Sequence, residues 1–257
     1  MMNKSDQWNP SLYDKKHSFV SQYGKDLIEL LAPRKGESIL DLGCGTGDLA
    51  KQLHDKGINI TGIDKSANMI AQAKEKYPSI SFYEKDATDL GYLSQFNAVF
   101  SNATLHWVQP PVKALKEIYL ALKIGGRFVA EFGGKGNVQA ICDELIKQRT
   151  LAGYPYDTSL FPWFYPSIAE YTTLMETVGF RVTLAQHFDR PTPLQGEEGL
   201  TNWIRMFGDQ LLNGVGEKDK QLIIERVNNT LQGSLKKDGV WVADYKRIRV
   251  VGLKEKI

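Results

Sequence analysis

The sequence predicts an α/β protein built on a doubly wound, mostly parallel sheet, and two observations carry this prediction. Short apolar segments with strand character alternate with longer amphipathic segments of helical period along the first half of the chain. The first apolar segment, residues 39–42, also runs straight into a glycine-rich turn at 43–47, after which helical periodicity begins at once. A strand, a glycine turn and a helix in this order are typical of parallel sheets that bind a ligand at their carboxyl edge.

The remaining elements follow in order from the same periodicities and from local start and stop signals. Apolar positions from 19 to 31 trace one face of a helix that ends before Pro33. Ser66 has the character of an N-cap before an apolar stripe that reaches Tyr77, and Pro110-Pro111 starts the helix after the fourth strand. Strands are predicted to begin near residues 38, 59, 80, 96, 127 and 180, with one long last strand over 240–251. Further helices are predicted near 49–53, 167–177, 200–212 and 219–231.

The glycine turn does not follow the fingerprints of two common phosphate-binding loops. In the dinucleotide pattern G-x-G-x-x-G/A counted from Gly43, Asp48 replaces the third small residue, and no G-x-x-x-x-G-K-[ST] loop passes through the turn. Carboxylates at Asp41 and Asp48 flank the turn, where they would repel a pyrophosphate but attract an ammonium and a sulfonium. The new helix N-terminus can bind a carboxylate. These properties together match S-adenosylmethionine (SAM).

Three acidic residues are predicted at the carboxyl ends of three successive strands, namely Asp41, Asp64 and Asp86. Asp64 can accept hydrogen bonds from both ribose hydroxyls of a nucleoside, a role found with NAD as well as with SAM, so it does not distinguish the two. Asp86 is placed to accept from an adenine amino group. Any one of them alone is more often a solvated loop acid, but the three together favour a nucleoside site.

These segments resemble the class I SAM-dependent methyltransferases over residues 15–135. The shared motifs are D-L-G-C-G-T-G at 41–47, G-I-D-K-S at 62–66, K-D-A at 85–87 and the segment 96–108 at the end of strand four. Residues 101–108 and 131–134 are most similar to the trans-aconitate methyltransferase branch. The resemblance implies a Rossmann-like methyltransferase fold with a seven-stranded sheet, in which the last strand lies antiparallel between strands five and six.

The resemblance also implies a domain organisation and a cofactor site. It implies one SAM-dependent domain over 1–257, an N-terminal lid at 1–20, and a helical cap at 151–166 and 189–236, inserted before the last strand. The expected cofactor is SAM, with S-adenosylhomocysteine as product. The expected cofactor-binding residues are Asp41, Gly43, Cys44, Gly45, Gly47, Asp64, Lys65, Met69, Asp86, Ala87, Asn102 and Ala103.

His106, just past strand four, is the predicted catalytic residue. It lies where a methyl acceptor would be expected, and its imidazole can orient the acceptor or take a proton, or it can simply pack on the cofactor. Arginines in the cap are either surface residues or, if they point inward, donors that hold a carboxylate of the acceptor, with Arg205 the first candidate and Arg190 the second. The predicted substrate-binding residues are Tyr13, His17, Trp107, Trp163, Arg190 and Arg205.

The predicted function is methylation of a small molecule, and O-methylation of a carboxylic acid is the favoured form. Methyl transfer to a hydroxyl, amine or carbon, and a SAM-binding protein without catalysis, are the alternatives. Nucleic-acid methylation is disfavoured because Asn102-Ala-Thr-Leu replaces the Asn/Asp-Pro-Pro-Tyr/Phe motif and because neither cysteine follows a proline. A nicotinamide oxidoreductase is opposed by Asp41 and Asp48 beside the turn.

Composition limits the range of partners. The chain has 257 residues, 42% of them hydrophobic and 24% charged, and a net charge of +2, which supports neither a nucleic-acid nor a membrane partner. The two cysteines are far apart and the polar start is unlike a signal peptide, so a cytoplasmic monomer or homodimer is expected. Four scattered histidines form no metal-binding pattern.

Overall fold

The computed structural model describes residues 26–256, and within them the chain forms two compact units. The first unit contains the chain up to Gly133, the segment Pro166–His187 and the chain from Ile248 onward. The second unit contains Gly134–Tyr165 and Phe188–Arg247. The predicted lid at 1–20 lies outside the described residues. The predicted cap segments fall within the second unit except for Pro166, and their placement over an active site stays a prediction.

The first unit is built on a seven-stranded sheet of the predicted kind. Along the sheet the strands follow the order β3-β2-β1-β4-β5-β10-β6, and β3, β2, β1, β4 and β5 run parallel to one another. The carboxyl ends of β1, β2 and β4 therefore meet at one edge. The strands are β1 Ser38–Leu42, β2 Asn59–Asp64, β3 Ser81–Glu84, β4 Phe96–Asn102, β5 Leu122–Gly133, β6 Arg181–Asp189 and β10 Lys246–Leu253.

Strand β10 lies between β5 and β6 and runs antiparallel to β5, as predicted. The Gly125 N–H donates to the Lys254 carbonyl and the Lys254 N–H to the Gly126 carbonyl, while at the other end the Gly134 N–H donates to the Lys246 carbonyl. Residue numbers on the two strands thus rise in opposite directions. An antiparallel strand in a mostly parallel sheet confirms the topology that the family resemblance implies.

The single long strand predicted over 240–251 is wrong, because the chain leaves strand geometry at Asp244 and Tyr245. There the Asp244 carboxylate accepts the Ala140 N–H and the Asp244 carbonyl accepts the Val138 N–H. Asp244 is therefore hydrogen-bonded to the N-terminus of the helix Gln139–Leu151 instead of to a neighbouring strand. The first half of the segment forms β9 in a separate three-stranded sheet of order β7-β9-β8, which the sequence did not reveal. These strands are β7 Thr192–Pro193, β8 Lys236–Lys237 and β9 Val240–Ala243.

Helices begin at Ser66 and near residue 167 as the sequence predicts, whereas the helix Gln139–Leu151 was not predicted. The Ser66 hydroxyl accepts the Met69 N–H as an N-cap, and Ser167 and Glu170 form a complete capping box. Residues 26–31 are helical. The first unit also contains α1 Asp48–Asp55, α2 Ala67–Lys76, α3 Pro111–Ala121 and α5 Ile168–Val178, and the second contains α4 Gln139–Leu151, α6 Gly199–Met206 and α7 Glu217–Leu235. Within residues 26–256, none of the helices has the length and apolarity needed to cross a membrane.

The core of the first unit lies between the sheet and its helices. Ile39 on β1 and Phe100 on β4 are fully buried, and they belong to one cluster with Leu53 of α1 and Leu31. Each such side chain stabilises the fold by roughly 1.5–3 kcal/mol relative to its exposed state. This core fixes the strands, so the polar residues that follow them are held at one sheet edge.

The second unit has its own buried centre. Helix α4 packs against α7, and Trp203 of α6 is buried with its indole N–H donating to the Tyr245 hydroxyl at 2.6 Å. Arg149 donates to the Leu211 carbonyl at 2.5 Å and so ties α4 to the 3₁₀ turn Gly208–Leu212. The predicted helical insertion before the last strand of the sheet is therefore confirmed, with the small sheet as an addition to it.

Candidate cofactor and active site

The glycine turn owes its shape to positive backbone angles and to strand β2. Gly43 and Gly45 have φ values of +77° and +54°, and the N–H groups of Gly43 and Cys44 both donate to the Ile63 carbonyl. A Cβ at Gly43 would lie 2.0 Å from Thr104 Oγ1, so glycine is required there by packing. A Cβ at Gly45 would have no atom within 4 Å. Gly45 is thus the position in the turn with open space for a ligand.

Packing also accounts for the other small residues of the turn. Gly47 has φ +88° immediately before α1, and a Cβ there would lie 2.8 Å from the ring of Phe82. The Cys44 thiol donates to the Gly45 carbonyl, and burial, followed by the charges of Asp41 and Asp64, raises its pKa. Cys44 is therefore a neutral thiol that contributes packing to this site.

Asp41 at the end of β1 carries the most unusual electrostatics of the site. The residue is only 2% exposed, and its Oδ2 atom is buried without a hydrogen-bond partner in the described part of the chain. Burial, with a further contribution from the Asp64 charge, raises the pKa of this carboxyl to about 7. A buried carboxyl oxygen without a donor is costly, and a cationic ligand would satisfy it.

Asp64 is held in a fixed orientation at the end of β2. Its two carboxylate oxygens accept the N–H groups of Gly45, at 3.0 Å, and of Ser66, at 2.9 Å. One side chain therefore joins the glycine turn to the start of α2. The buried Met69, the other predicted residue here, donates its backbone N–H to the Ser66 cap.

Asp86, after β3, has an ion-pair partner within the chain. Lys65 lies 2.7 Å from its carboxylate, and Thr88 donates to it through both its N–H and its hydroxyl. Burial raises the pKa of Asp86, but these hydrogen bonds outweigh that effect and bring the pKa below its ordinary value. The structure thus brings two predicted cofactor residues, Lys65 and Asp86, into contact, with the buried Ala87 next to them.

Asp48, like Asp86 and unlike Asp41, has its charge compensated by a lysine. Its carboxylate lies 2.6 Å from Lys76 Nζ and accepts the Tyr77 hydroxyl, also at 2.6 Å. The attraction of this site for a cation therefore depends on Asp41 and Asp64, and less on Asp48 than the sequence suggests.

The loop after β4 is tightly anchored to the neighbouring strands. Ala103 adopts a left-handed φ of +57°, and its N–H donates to the Glu131 carbonyl. Thr104 donates its hydroxyl to the carbonyls of Asn102, at 3.1 Å, and Gly43, at 3.3 Å. A non-glycine residue in this conformation is strained, and such strain is often found at functional sites.

His106 lies in the 3₁₀ turn Leu105–Trp107 and is only 6% exposed. Its Nδ1 atom accepts the Gly133 N–H at 3.4 Å. In the neutral ring the proton then resides on Nε2, so this nitrogen is a donor and not a base. Its ring lies 5.5 Å from that of Trp107, which is half-buried.

A buried ion pair in this region was missed by the sequence reasoning. The guanidinium of Arg249 on β10 donates to the Glu131 carboxylate on β5 through Nε, at 2.8 Å, and Nη2, at 2.5 Å. Glu131 is only 2% exposed. The signal in the sequence was the arginine placed in the apolar last strand, which requires an acidic partner when the strand is buried.

The predicted substrate residues of the second unit lie in three different surroundings. Trp163 is buried against the rings of Phe161 and Tyr165, and Arg190 lies 4.9 Å from the Phe188 ring. Arg205 is exposed and donates to Gln221 at 2.7 Å. Their substrate roles stay predictions, as do those of Tyr13 and His17, which lie outside the described residues.

The first unit thus offers a site whose chemistry fits SAM. The buried Asp41 oxygen matches a cationic ligand, the space at Gly45 allows close approach to the backbone, and the fixed Asp64 carboxylate faces the same turn. In residues 26–256 no group of three or more histidine, cysteine or acidic side chains is arranged to hold a metal ion.

Comparison with known proteins agrees with this chemistry. Residues 40–130 match the methyltransferase domain family. The chain is 32% identical to an uncharacterized methyltransferase of Schizosaccharomyces pombe, over 97% of this chain and 99% of the relative. It is 28% identical to the trans-aconitate 2-methyltransferase of Deinococcus radiodurans, over 77% of this chain and 79% of that enzyme.

The fold has close counterparts among solved structures. The YcgJ protein of Bacillus subtilis superposes with a TM-score of 0.63, over 92% of this chain and 100% of that protein, at 17% sequence identity. The relationship in sequence and the glycine-turn site lead to the same assignment. The chain belongs to the class I SAM-dependent methyltransferases.

Proposed function

We propose that this protein transfers the methyl group of SAM to a carboxylate oxygen of a small organic acid. The observation that carries the choice of acceptor is the hydrogen bond between His106 Nδ1 and the Gly133 N–H. It occupies the nitrogen that a general base would use, and an ionised carboxylate is an acceptor that needs no base. The similarity to a trans-aconitate 2-methyltransferase over 77% of the chain supports the same class of substrate.

The cofactor in this proposal is held by residues of the first unit. Gly45 leaves the backbone open for close approach, Asp64 accepts the ribose hydroxyls, and the buried Asp41 carboxylate faces the cationic amino-acid end. Asp86 is expected to accept from the adenine amino group. Gly43, Cys44, Gly47, Lys65, Met69, Ala87, Asn102 and Ala103 complete the expected site. When bound, the cofactor supplies an electrophilic methyl group on a sulfonium.

Methyl transfer to a carboxylate requires few catalytic groups beyond this cofactor site. His106 is expected to donate its Nε2–H to the acceptor and to orient it, since its Nδ1 is already engaged. Most of the acceleration would come from alignment of the acceptor with the methyl group in a closed site, an effect that reaches roughly 7–11 kcal/mol in well-oriented systems.

Two other functions remain as alternatives. A hydroxyl or carbon acceptor would have to give up a proton to a base, for which His106 is the predicted residue, and an amine acceptor would attack as the uncharged amine and release its proton afterwards. A SAM-binding protein without catalysis would bind S-adenosylhomocysteine but methylate nothing. The second alternative belongs to a different class, and turnover in an acceptor screen separates it from the proposal.

The test is methyl transfer from radiolabelled SAM to a panel of small carboxylic acids, with their methyl esters and amides as matched controls. A carboxylate acceptor yields a methyl ester, from which mild alkali releases labelled methanol, whereas ethers, methylamines and C-methyl products keep the label. Alkali-labile label with the acids and none with the esters is the expected result. Alkali-stable label would show that another atom is the acceptor.

A further inference from the structure

Thr104 lies where the loop after β4 meets the glycine turn. Its hydroxyl oxygen is within hydrogen-bond distance of two backbone carbonyl oxygens, that of Gly43 at 3.3 Å and that of Asn102 at 3.1 Å. The three atoms nearest to a Cβ built on Gly43 would all belong to Thr104, namely its Oγ1, Cγ2 and Cβ. Thr104 therefore contacts the turn both by packing on the Gly43 backbone and by a hydrogen bond to its carbonyl.

The opposite side of the glycine turn is held by β2. The N–H groups of Gly43 and Cys44 both donate to the Ile63 carbonyl, at 2.8 and 2.9 Å. The Gly45 N–H donates to the carboxylate of the acid that ends β2, at 3.0 Å. On the side of β4, the Gly43 carbonyl accepts from the Thr104 hydroxyl. The turn is thus fastened to both of the strands that flank β1 in the sheet.

The loop that carries Thr104 is itself anchored, so it can act as a fixed support for the turn. The Ala103 N–H donates to the Glu131 carbonyl at 2.7 Å, and the Glu131 carboxylate is held in a buried ion pair. After Thr104, the Trp107 N–H donates to the Thr104 carbonyl at 2.9 Å and closes the 3₁₀ turn that contains His106.

The residue before Thr104 has a strained backbone. Ala103 adopts a left-handed φ of +57°, a conformation that is uncommon for residues with a side chain. Such strain persists only where the surrounding contacts fix the conformation, as the bond from the Ala103 N–H to the Glu131 carbonyl does here. The strained position and the residue that contacts the glycine turn are neighbours in the chain.

From these contacts we infer that Thr104 is a positioning residue of the cofactor site, whose hydroxyl holds the glycine turn in the shape that binds SAM. A segment that is fixed before binding loses less freedom when the ligand arrives, so affinity is higher. Gly45, the position with open space for the ligand, follows Gly43 closely in the same turn. Thr104 has this role with any methyl acceptor, so the role rests on the cofactor of the proposed function and not on its carboxylate substrate.

The test measures the binding of S-adenosylhomocysteine to T104V and T104S by calorimetric titration. Valine has nearly the shape of threonine but no donor, so T104V should bind about 3- to 10-fold more weakly, the effect of losing one hydrogen bond between neutral groups. T104S keeps the hydroxyl and should bind nearly as tightly as the wild type.

T172V is the matched control in the same unit. The Thr172 hydroxyl is also within hydrogen-bond distance of two backbone carbonyls, those of Ile168 at 2.9 Å and Ala169 at 3.4 Å, and both threonines are half-buried. These carbonyls belong to the segment around α5, so T172V should bind S-adenosylhomocysteine as the wild type does. The Tm values of T104V and T172V report the loss of stability separately from the loss of affinity.

Unchanged affinity of T104V for S-adenosylhomocysteine, whatever its Tm, overturns the positioning role and leaves the proposed function in place. Equally weak binding by T104S and T104V also overturns it, because the hydroxyl is then not the group that holds the turn. If T104V does not fold, T104A, which lacks the hydroxyl and the methyl group, takes its place, and wild-type affinity in T104A has the same meaning.

Failure of the proposed function gives a different pattern. If no acid of the methylation panel is labelled while T104V binds S-adenosylhomocysteine weakly and T104S binds it tightly, the carboxylate acceptor is overturned and the role of Thr104 is supported. If the wild type binds no S-adenosylhomocysteine, both proposals are overturned.

Discussion

Binding of S-adenosylhomocysteine is expected to release a proton from Asp41, and the perturbation that reveals it is Asp41→Asn. The carboxyl is buried with an unsatisfied oxygen, and its pKa is raised to about 7 in the protein alone. An ammonium group bound beside it would favour the charged form and lower that pKa. The proton must then leave as the ligand enters.

The magnitude follows from the raised pKa. With a pKa of about 7 the carboxyl holds about 0.9 proton at pH 6, about half a proton at pH 7 and about 0.1 at pH 8. Calorimetric titration in buffers of different ionisation enthalpy measures the number released on binding. Wild-type release should approach these values and fall with rising pH, while Asp41→Asn should lose this contribution and bind more weakly.

The same carboxyl makes a prediction for stability without ligand. Between pH 4 and pH 7 the unfolded chain has released the Asp41 proton while the folded protein still holds it, so the free energy of unfolding falls as pH rises through this window. A rise of the pKa from 3.8 to about 7 corresponds to a loss of at most about 4 kcal/mol. Asp41→Asn should flatten this slope, and Asp55→Asn, at an exposed position, should not. If the wild type and Asp41→Asn release equal numbers of protons on binding S-adenosylhomocysteine, the prediction that Asp41 loses a proton on binding is refuted.

Four further substitutions test the site. Gly43→Ala should fail to fold or lose most of its stability, because the new Cβ would lie 2.0 Å from Thr104 Oγ1. Gly45→Ala should fold with a loss of about 1–2 kcal/mol from its positive φ and should bind S-adenosylhomocysteine more weakly. Comparable Tm values for these two variants would contradict this prediction. Asp64→Asn should measurably weaken the binding of S-adenosylhomocysteine in a titration, because it removes a charged hydrogen-bond acceptor. Unchanged affinity would exclude the role of Asp64 in binding the ribose. His106→Gln, which keeps a donor, should lower kcat only modestly on an acid acceptor, and loss of all turnover would instead identify His106 as a base.

Much of the first unit could be predicted from sequence because its signals are local. Alternating periodicities predicted the strands and helices, and the structure confirms the N-cap predicted at Ser66 and the helix start predicted near residue 167. The acids at the strand ends could be assigned to one edge, since parallel strands bring their carboxyl ends together.

The rest depended on contacts that no local pattern encodes. The break between β9 and β10 arises from hydrogen bonds between Asp244 and residues 138 and 140, more than a hundred positions earlier. The pairing of Asp48 with Lys76 also joins residues that are 28 positions apart.

The place of β10 in the sheet has a consequence for how the protein is made. Among the seven strands it comes last along the sequence, yet it lies between β5 and β6. Until β10 has been synthesised, both of those strands keep an unpaired edge, and the Glu131 carboxylate on β5 has no Arg249 to pair with. Unpaired strand edges of this kind can form hydrogen bonds with other chains and so lead to aggregation. Nascent chains that stall before residue 246 should therefore be the form of this protein that is most dependent on chaperones.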